Sequence, residues 1–177
     1  MMKIGSLTFH HPVVLAPMEN VSDRSFRLVC KRLGADIVYT EFISCRDLAG
    51  AIPNALKRLT EISDEERPLG VQIYGNEVEQ MVYAAKLAES SGADFIDINY
   101  GCPSKSVAGR GAGAGLLQFP QLMQKITSAV VDSVHLPVTA KTRLGWDEHN
   151  ITILEPAQML ENCGVQVLPI HGRTRNQ

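Results

Sequence analysis

Six short apolar runs begin near residues 13, 36, 69, 94, 138 and 165, and a helix-like segment separates each pair. That strict alternation of strand and helix is the strongest constraint in the chain, because it demands a parallel sheet covered by helices. The runs are Val13–Ala16, Asp36–Glu41, Leu69–Tyr74, Phe95–Ile98, Val138–Lys141 and Val165–Ile170. The clearest helix pattern is Glu77–Ser90, which is apolar at Met81, Val82, Ala85 and Ala88 and closed by Gly92. Phe119–Val134 carries Pro120 in its first turn, and Ile153–Cys163 is followed by Gly164. Ser22 or Asp23 caps a helix through Phe26, Val29, Cys30 and Leu33. Residues 44–58 read as helix broken at Gly50 and Pro53, and Lys3–His10 as a small hairpin turning at Gly5-Ser6.

Two architectures satisfy such an alternation, an open doubly wound sheet and a (β/α)8 TIM barrel. Polar residues separate them. Met18, Gln72, Asn99, Cys102, Lys141, Arg143 and His171 fall at or just past the carboxyl ends of successive strands. A barrel brings every such end to one mouth, whereas an open sheet uses only the ends at its switch point. The α/β TIM barrel is therefore expected, with six of its eight strands present. The 177 residues read as one partial barrel domain.

Composition excludes several classes. At 45% hydrophobic and 20% charged residues, with net charge −2, the chain is an ordinary globular one with no basic footprint. No apolar run reaches the roughly 18 residues of a membrane helix. Cys30, Cys45, Cys102 and Cys163 form no CxxC pair, and no His/Cys/Asp cluster has metal-ligand spacing. A reduced, cytoplasmic setting is expected.

The chemistry concentrates at Asp97-Ile98-Asn99-Tyr100-Gly101-Cys102-Pro103. Gly101 and Pro103 end the strand, so the thiol of Cys102 sits at its carboxyl end. A glycine-rich run follows, with Gly109, Gly111, Gly113 and Gly115, and it lacks the GK[ST] ending of a phosphate loop. It reads as a mobile loop able to close over a site. Lys141 follows a buried-strand pattern, where an unpaired cation is costly and a functional role is favoured. Cys30, Cys45 and Cys163 read as structural, Asp97 as an acid facing the barrel interior or a helix end, and Arg24 and Arg27 as solvated or capping residues.

These blocks, taken in order, resemble the tRNA-dihydrouridine synthase family. They are Ala16-Pro17-Met18, Ser22–Arg27, Asp97–Pro103, Gly111–Leu117, Pro137–Trp146 and His171–Arg175. The resemblance implies an FMN enzyme, with NADPH as reductant, that reduces the C5–C6 double bond of particular tRNA uridines. It implies Cys102 as the catalytic acid and a flavin site formed by the backbone of Ala16, Pro17 and Met18 with the side chains of Gln72, Lys141 and His171. Asn99 and Arg143 are implied at the uridine. The chemistry agrees: a thiol is protonated at neutral pH and can give a proton to C5, and a lysine can stabilise charge on the reduced flavin.

Two positions depart from the family pattern. Pro169 weakens pairing in the sixth strand, and Tyr100 is expected to alter stacking near the flavin. The family also has further barrel strands and a C-terminal helical tRNA-binding domain beyond the position of Gln177. The 177-residue chain alone is accordingly expected to bind FMN poorly, to turn over little and to self-associate through an open sheet edge. Two other readings remain open. One is an FMN barrel dehydrogenase of the dihydroorotate type acting on a small molecule, although Arg173-Thr174-Arg175 and the Gly-Cys-Pro context favour tRNA. The other is a catalytically silent shortened chain.

Overall fold

The computed structural model describes residues 1–177. Its centre is a curled parallel sheet in which β3 (Val38–Tyr39), β5 (Leu69–Tyr74), β6 (Phe95–Asn99), β7 (Val138–Arg143) and β8 (Ile170–His171) lie side by side in chain order. Sequential order with every neighbour parallel is the topology of a (β/α)8 barrel wall, and the two ends of this sheet do not meet. The fold is thus α/β, a truncated TIM barrel. A hairpin of β1 (Met2–Ile4) and β2 (Leu7–Phe9) precedes it, turning at Gly5 with φ +56°.

Alternation along each strand sorts side chains into two sets. Leu69, Val71, Ile73, Ile96, Ile98, Tyr100, Val138 and Ala140 face the helices and form the main core with Met81, Ala84, Ala85 and Ala88 of α4 (Val78–Ser90) and Met123, Ile126 and Val130 of α5 (Pro120–Ser133). The alanine stripe lets α4 lie close to the sheet, and each large apolar side chain buried there contributes about 1.5–3 kcal/mol. The other set faces the barrel interior in layers. At the amino end, Ile4 of the hairpin packs with Ile37, Tyr39 and Phe95, closing the bottom. Phe95 fills the space left by Gly70, where a Cβ would sit 2.6 Å from the Phe95 Cζ. Above lies a polar layer of Gln72, Asp97 and Thr139, which register places directly side by side.

Several expected strands are shorter than their apolar patterns. Val13–Ala16 is not a strand. It makes one bridge, Val14 to Ile37, because Pro12 and Pro17 bracket it and it has a neighbour on one side only. The run 36–41 splits. Thr40 turns its hydroxyl to accept from the Gln72 N–H (3.1 Å), residues 40–42 bulge against 71–72, and pairing resumes at β4 (Ile43–Ser44). In the run 165–170 only Ile170–His171 forms a strand, since Pro169 has no N–H to donate. The fifth strand instead extends past Lys141 to include Arg143.

The helices follow their caps. α1 (Arg24–Arg32) starts at Asp23, whose Oδ1 accepts from the Phe26 N–H at 2.8 Å. α2 (Cys45–Ala49) and α3 (Pro53–Thr60) divide at Gly50, and α6 (Leu154–Asn162) ends before Gly164, φ +97°. No helix is long and apolar enough to cross a membrane.

Arg27 is neither solvated nor a capping residue. It is 4% exposed, and its Nε donates to Glu66 Oε1 at 2.6 Å while the rest of the guanidinium donates to the Ser22 and Glu61 carbonyls. Glu66 is fully buried and completes its shell with the Ser63 N–H and hydroxyl. Ser22 in turn exchanges hydrogen bonds with the Met18 backbone, so the pair anchors the Ala16–Met18 segment. Arg27→Leu strands a buried carboxylate and should lower stability by about 3–5 kcal/mol in urea unfolding, and Arg27→Leu combined with Glu66→Leu should recover much of that loss. Equal instability of the single and double variants would show that the pair is not the source.

Candidate active site

The upper end of the sheet is polar because the strands that are apolar toward the helices are not apolar toward the interior. On β6 the inward residues are Phe95, Asp97 and Asn99, and on β7 they are Thr139, Lys141 and Arg143. Cys102 follows β6 in a turn ordered by Asn99, whose Oδ1 accepts from the Gly101 N–H (3.0 Å) and the Cys102 N–H (2.8 Å). The Cys102 carbonyl accepts from the Ala114 N–H, and its Sγ lies 3.4 Å from the Ser104 hydroxyl. The side chain is half-buried beside Phe42, Tyr74, Val107 and Ala112.

The glycine-rich run does not form an open mobile loop. Residues Ala108–Arg110 and Gly113–Gln118 are short 3-10 helices, and Gly113–Leu117 are buried. Two of the glycines are required for close packing. Gly113 has φ +54° and a Cβ there would lie 3.2 Å from Cys102 Cβ, while a Cβ on Gly115 would lie 2.5 Å from the Ala108 carbonyl oxygen. The run seats the cysteine turn. Tyr100 likewise does not reach the mouth. It is fully buried, its hydroxyl lies 2.8 Å from Thr127 Oγ1 on α5, and burial pushes its phenol up.

Beside the cysteine turn stand four basic side chains. Arg143 donates from Nε to the Gly101 carbonyl (2.6 Å) and from its NH1 nitrogen to the Thr174 carbonyl (3.0 Å). Burial lowers its pKa, with Arg173 adding to that and Cys102 opposing it. Lys141 is half-buried with no hydrogen bond or ion pair within the chain, and burial lowers it first, aided by Arg143 and opposed by Asp97. His171, exposed at the end of β8, is lowered by desolvation and then by Arg143, Lys141 and Arg173. Ala16 and Met18 are exposed and Pro17 half-buried. Ala16, Pro17 and Lys141 border one cavity of about 180 Å3, together with Tyr39, Val167 and Pro169. A larger cleft, about 920 Å3, is lined by Arg46, Asp47, Asn76, Glu77 and Arg110 together with Tyr74, Val107 and Ala112, the neighbours of Cys102, and contains none of the expected site residues. No group of three or more His, Cys, Asp or Glu side chains is placed to hold a metal.

Gln72 is fully buried beneath this surface. Its Nε2 donates to Asp97 Oδ2 (2.5 Å) and its Oε1 accepts from Asn99 Nδ2 (2.9 Å). Asp97 Oδ1 accepts from Thr139 Oγ1 (2.5 Å). The sequence marks Asp97 only as an acid facing the barrel interior or a helix end. The register that lines up residues 72, 97 and 139 is the signal that reveals the layer, and it appears only once the strands are paired. Thr139 carries no distinguishing signal of its own in the sequence, and Arg173 stands out there only within the Arg173-Thr174-Arg175 run.

A parallel βα half-barrel with a turn-held thiol and a group of cations at its carboxyl edge defines an α/β barrel architecture with a polar mouth. The similarities are specific. Residues 14–177 match the family described as Dihydrouridine synthase (Dus), and the chain belongs to that family. It is 42% identical to tRNA-dihydrouridine synthase B of Yersinia pestis over 175 residues, 99% of this chain and 54% of that protein. It is 41% identical to the Vibrio cholerae protein of the same name over 98% of this chain and 54% of that one. It is 40% identical to a probable tRNA-dihydrouridine synthase of Rickettsia conorii over the whole chain and 54% of that protein. The chain thus spans about half the length of the curated relatives it matches. Among solved structures, a variant of NCR from Zymomonas mobilis superposes with TM-score 0.64 at 14% identity, over 97% of this chain and 68% of that one. The carboxyl transferase domain of Rhizobium etli pyruvate carboxylase superposes with TM-score 0.56 at 17% identity, over 82% of this chain and 23% of that one. Both likenesses concern the fold alone.

Burial, against the hydrogen bonds from Gln72 and Thr139 and the nearby Lys141 charge, pushes Asp97 up to about 6. A carboxyl raised in the folded state stabilises the fold fully below its ordinary pKa near 4, and that contribution is lost as pH rises through about 6. The loss at this one group is about 3 kcal/mol. Asp97→Asn should remove the slope, so its stability relative to the unaltered protein should improve as pH rises from about 4.5 to about 7.5 in urea titrations. Parallel stability curves would show that Asp97 does not titrate there.

Proposed function

We propose that this chain carries the catalytic half-barrel of a tRNA-dihydrouridine synthase, with Cys102 as the proton donor. The observation that carries the reading is the placement of one thiol just past the carboxyl end of β6, in a turn whose Gly101 carbonyl is held by Arg143, itself grouped with Lys141, His171 and Arg173. Family membership and the names of the relatives support the reaction class.

The residues present fit a flavin mononucleotide. Lys141 is a half-buried cation without an intramolecular partner, next to the Ala16-Pro17 segment and a cavity. Lys141 and His171 would hold the flavin ring and its polar edge, the backbone of Ala16, Pro17 and Met18 would line its face, and Gln72 would steady the floor below. The chemistry a bound flavin would supply is hydride donation to C6 of uracil, with NADPH as the reductant. Cys102 then gives its Sγ proton to C5, the C5–C6 double bond becomes single, and the thiolate regains a proton from solvent. Lys141 stabilises negative charge at the flavin site. Asn99 and Arg143 order the floor and rim on which the uracil lands. The target base reaches such an edge only when turned out of the tRNA fold, and the cation group favours the phosphates that accompany it. A cytoplasmic location is part of this reading, in keeping with a tRNA substrate and four cysteines that form no disulfide.

In an enzyme that contains this half-barrel within the full length of its relatives, Cys102→Ala should leave flavin content and NADPH oxidation intact while lowering dihydrouridine formation in tRNA by about 10²–10⁴-fold. An alanine variant that modified tRNA at the normal rate would remove Cys102 from the role. In the same full-length enzyme, Lys141→Ala should weaken flavin binding about ten- to a hundredfold, read by absorbance titration of the apoprotein. Unchanged affinity together with unchanged turnover would take Lys141 out of the site.

A further inference from the structure

Asn99 Oδ1 accepts from two backbone N–H groups, at Gly101 and Cys102, and only an oxygen can stand there. The other end of the Asn99 amide is therefore the NH2 group, which donates to Gln72 Oε1 at 2.9 Å. That orientation turns Gln72 Nε2 toward Asp97, where a carboxylate accepts it at 2.5 Å. An ionised carboxylate can only accept, whereas an amide can point either way. Asp97 is itself held by Thr139, which donates from the next strand at 2.5 Å. All four side chains of this line are buried.

We propose that Asp97 is a positioning residue, acting through Gln72 and Asn99, whose carboxylate sets the polarity of this amide relay and so holds the Cys102 turn in place. Asp97 itself touches neither the turn nor the mouth. Were its end of the relay a donor, Gln72 and then Asn99 would reverse, and an NH2 group would meet the two backbone N–H groups. The turn would open and Sγ would lose its fixed seat against Phe42, Val107 and Ala112. The groups facing Asp97 are Gln72 of β5, Thr139 and Lys141 of β7, and Tyr39 of β3. The nearest cation, Lys141, favours the ionised, acceptor-only form. The function of the relay rests on the reading of Cys102 as proton donor, but its existence does not.

Reversal of the relay is the test. In Asn99→Asp the Gln72 amide lies between two carboxylates and can donate to only one, so the relay is broken at any orientation. Adding Asp97→Asn to Asn99→Asp restores every bond in the opposite direction. Thr139 then donates to the amide oxygen introduced on β6, and the NH2 group of that amide donates to Gln72 Oε1. Gln72 Nε2 donates in turn to the carboxylate introduced below the turn, which still accepts from the Gly101 and Cys102 N–H groups. The readouts are amide exchange at Cys102 and the rate of its alkylation by iodoacetamide, resolved from Cys30, Cys45 and Cys163 by peptide mapping. Asn99→Asp should speed both about tenfold, and the double variant should return them close to the starting values. Asp97→Ala should speed both as well, giving a second route to the effect should Asn99→Asp fail to fold. Additive effects in the double variant, or an unchanged Cys102 in Asp97→Ala, would overturn the relay. Turnover by Cys102→Ala would overturn the proton-donor reading while leaving the relay coupling as measured.

Discussion

The hydrogen bonds that join Gln72, Asp97 and Thr139 across three adjacent strands are the interaction on which the upper half of this structure depends. Below that layer the interior is apolar, closed by Phe95, Tyr39, Ile37 and Ile4. Above it the interior is polar and opens toward Lys141, Arg143 and Cys102. A buried layer of polar side chains is tolerable only when each member is satisfied, because a lone unpaired group in such a place costs about 1–3 kcal/mol. Here the parallel register meets the requirement by bringing residues 72, 97 and 139 level. The layer is where a structural core becomes a site.

Two further devices hold the site from outside the barrel interior. The buried Arg27–Glu66 pair ties α1 to the segment before β5 and, through Ser22, to Met18. Such pairs add little net stability over apolar packing, yet they define a single arrangement of the chain around them. The 3-10 segment from Gly113 packs against the cysteine turn so closely that no side chain fits. One of these devices orients the expected flavin-lining backbone and the other seats the thiol, and neither contains a residue that reacts.

The class of fold was readable because alternation of apolar runs and helical patterns survives noise in any one element. Leu69–Tyr74 and the helix that follows it match their patterns to within a residue or two. What failed was local and has one cause. An apolar run records burial, not pairing, so Val13–Ala16 and Val165–Ile170 read as strands although prolines and one-sided neighbours reduce them to a bridge and two residues. The same limit affected polar residues. Arg27 looked solvated because its partner, Glu66, lies 39 positions away, and the glycines after Cys102 looked mobile because sequence does not show what a glycine touches. Residues that belong to a motif can be named as candidates from the sequence. Those that act through a neighbour, Asp97 and Thr139, needed the register.

Asp97 makes the distinction between stability and function concrete. Its ionised form is disfavoured where it sits, since burial raises its pKa to about 6 and outweighs the help of two hydrogen bonds and a nearby lysine. The fold therefore loses stability as pH rises through about 6 and that charge forms. An asparagine could satisfy both Gln72 and Thr139, so neither hydrogen bonding nor space requires an acid. What an asparagine cannot do is oppose reversal from its own end of the line, because its amide offers a donor as readily as an acceptor. The carboxylate removes that choice at one end of the line, and two backbone N–H groups remove it at the other. Disfavoured charge at a site whose geometry must be single-valued is the expected signature of a residue kept for what it positions.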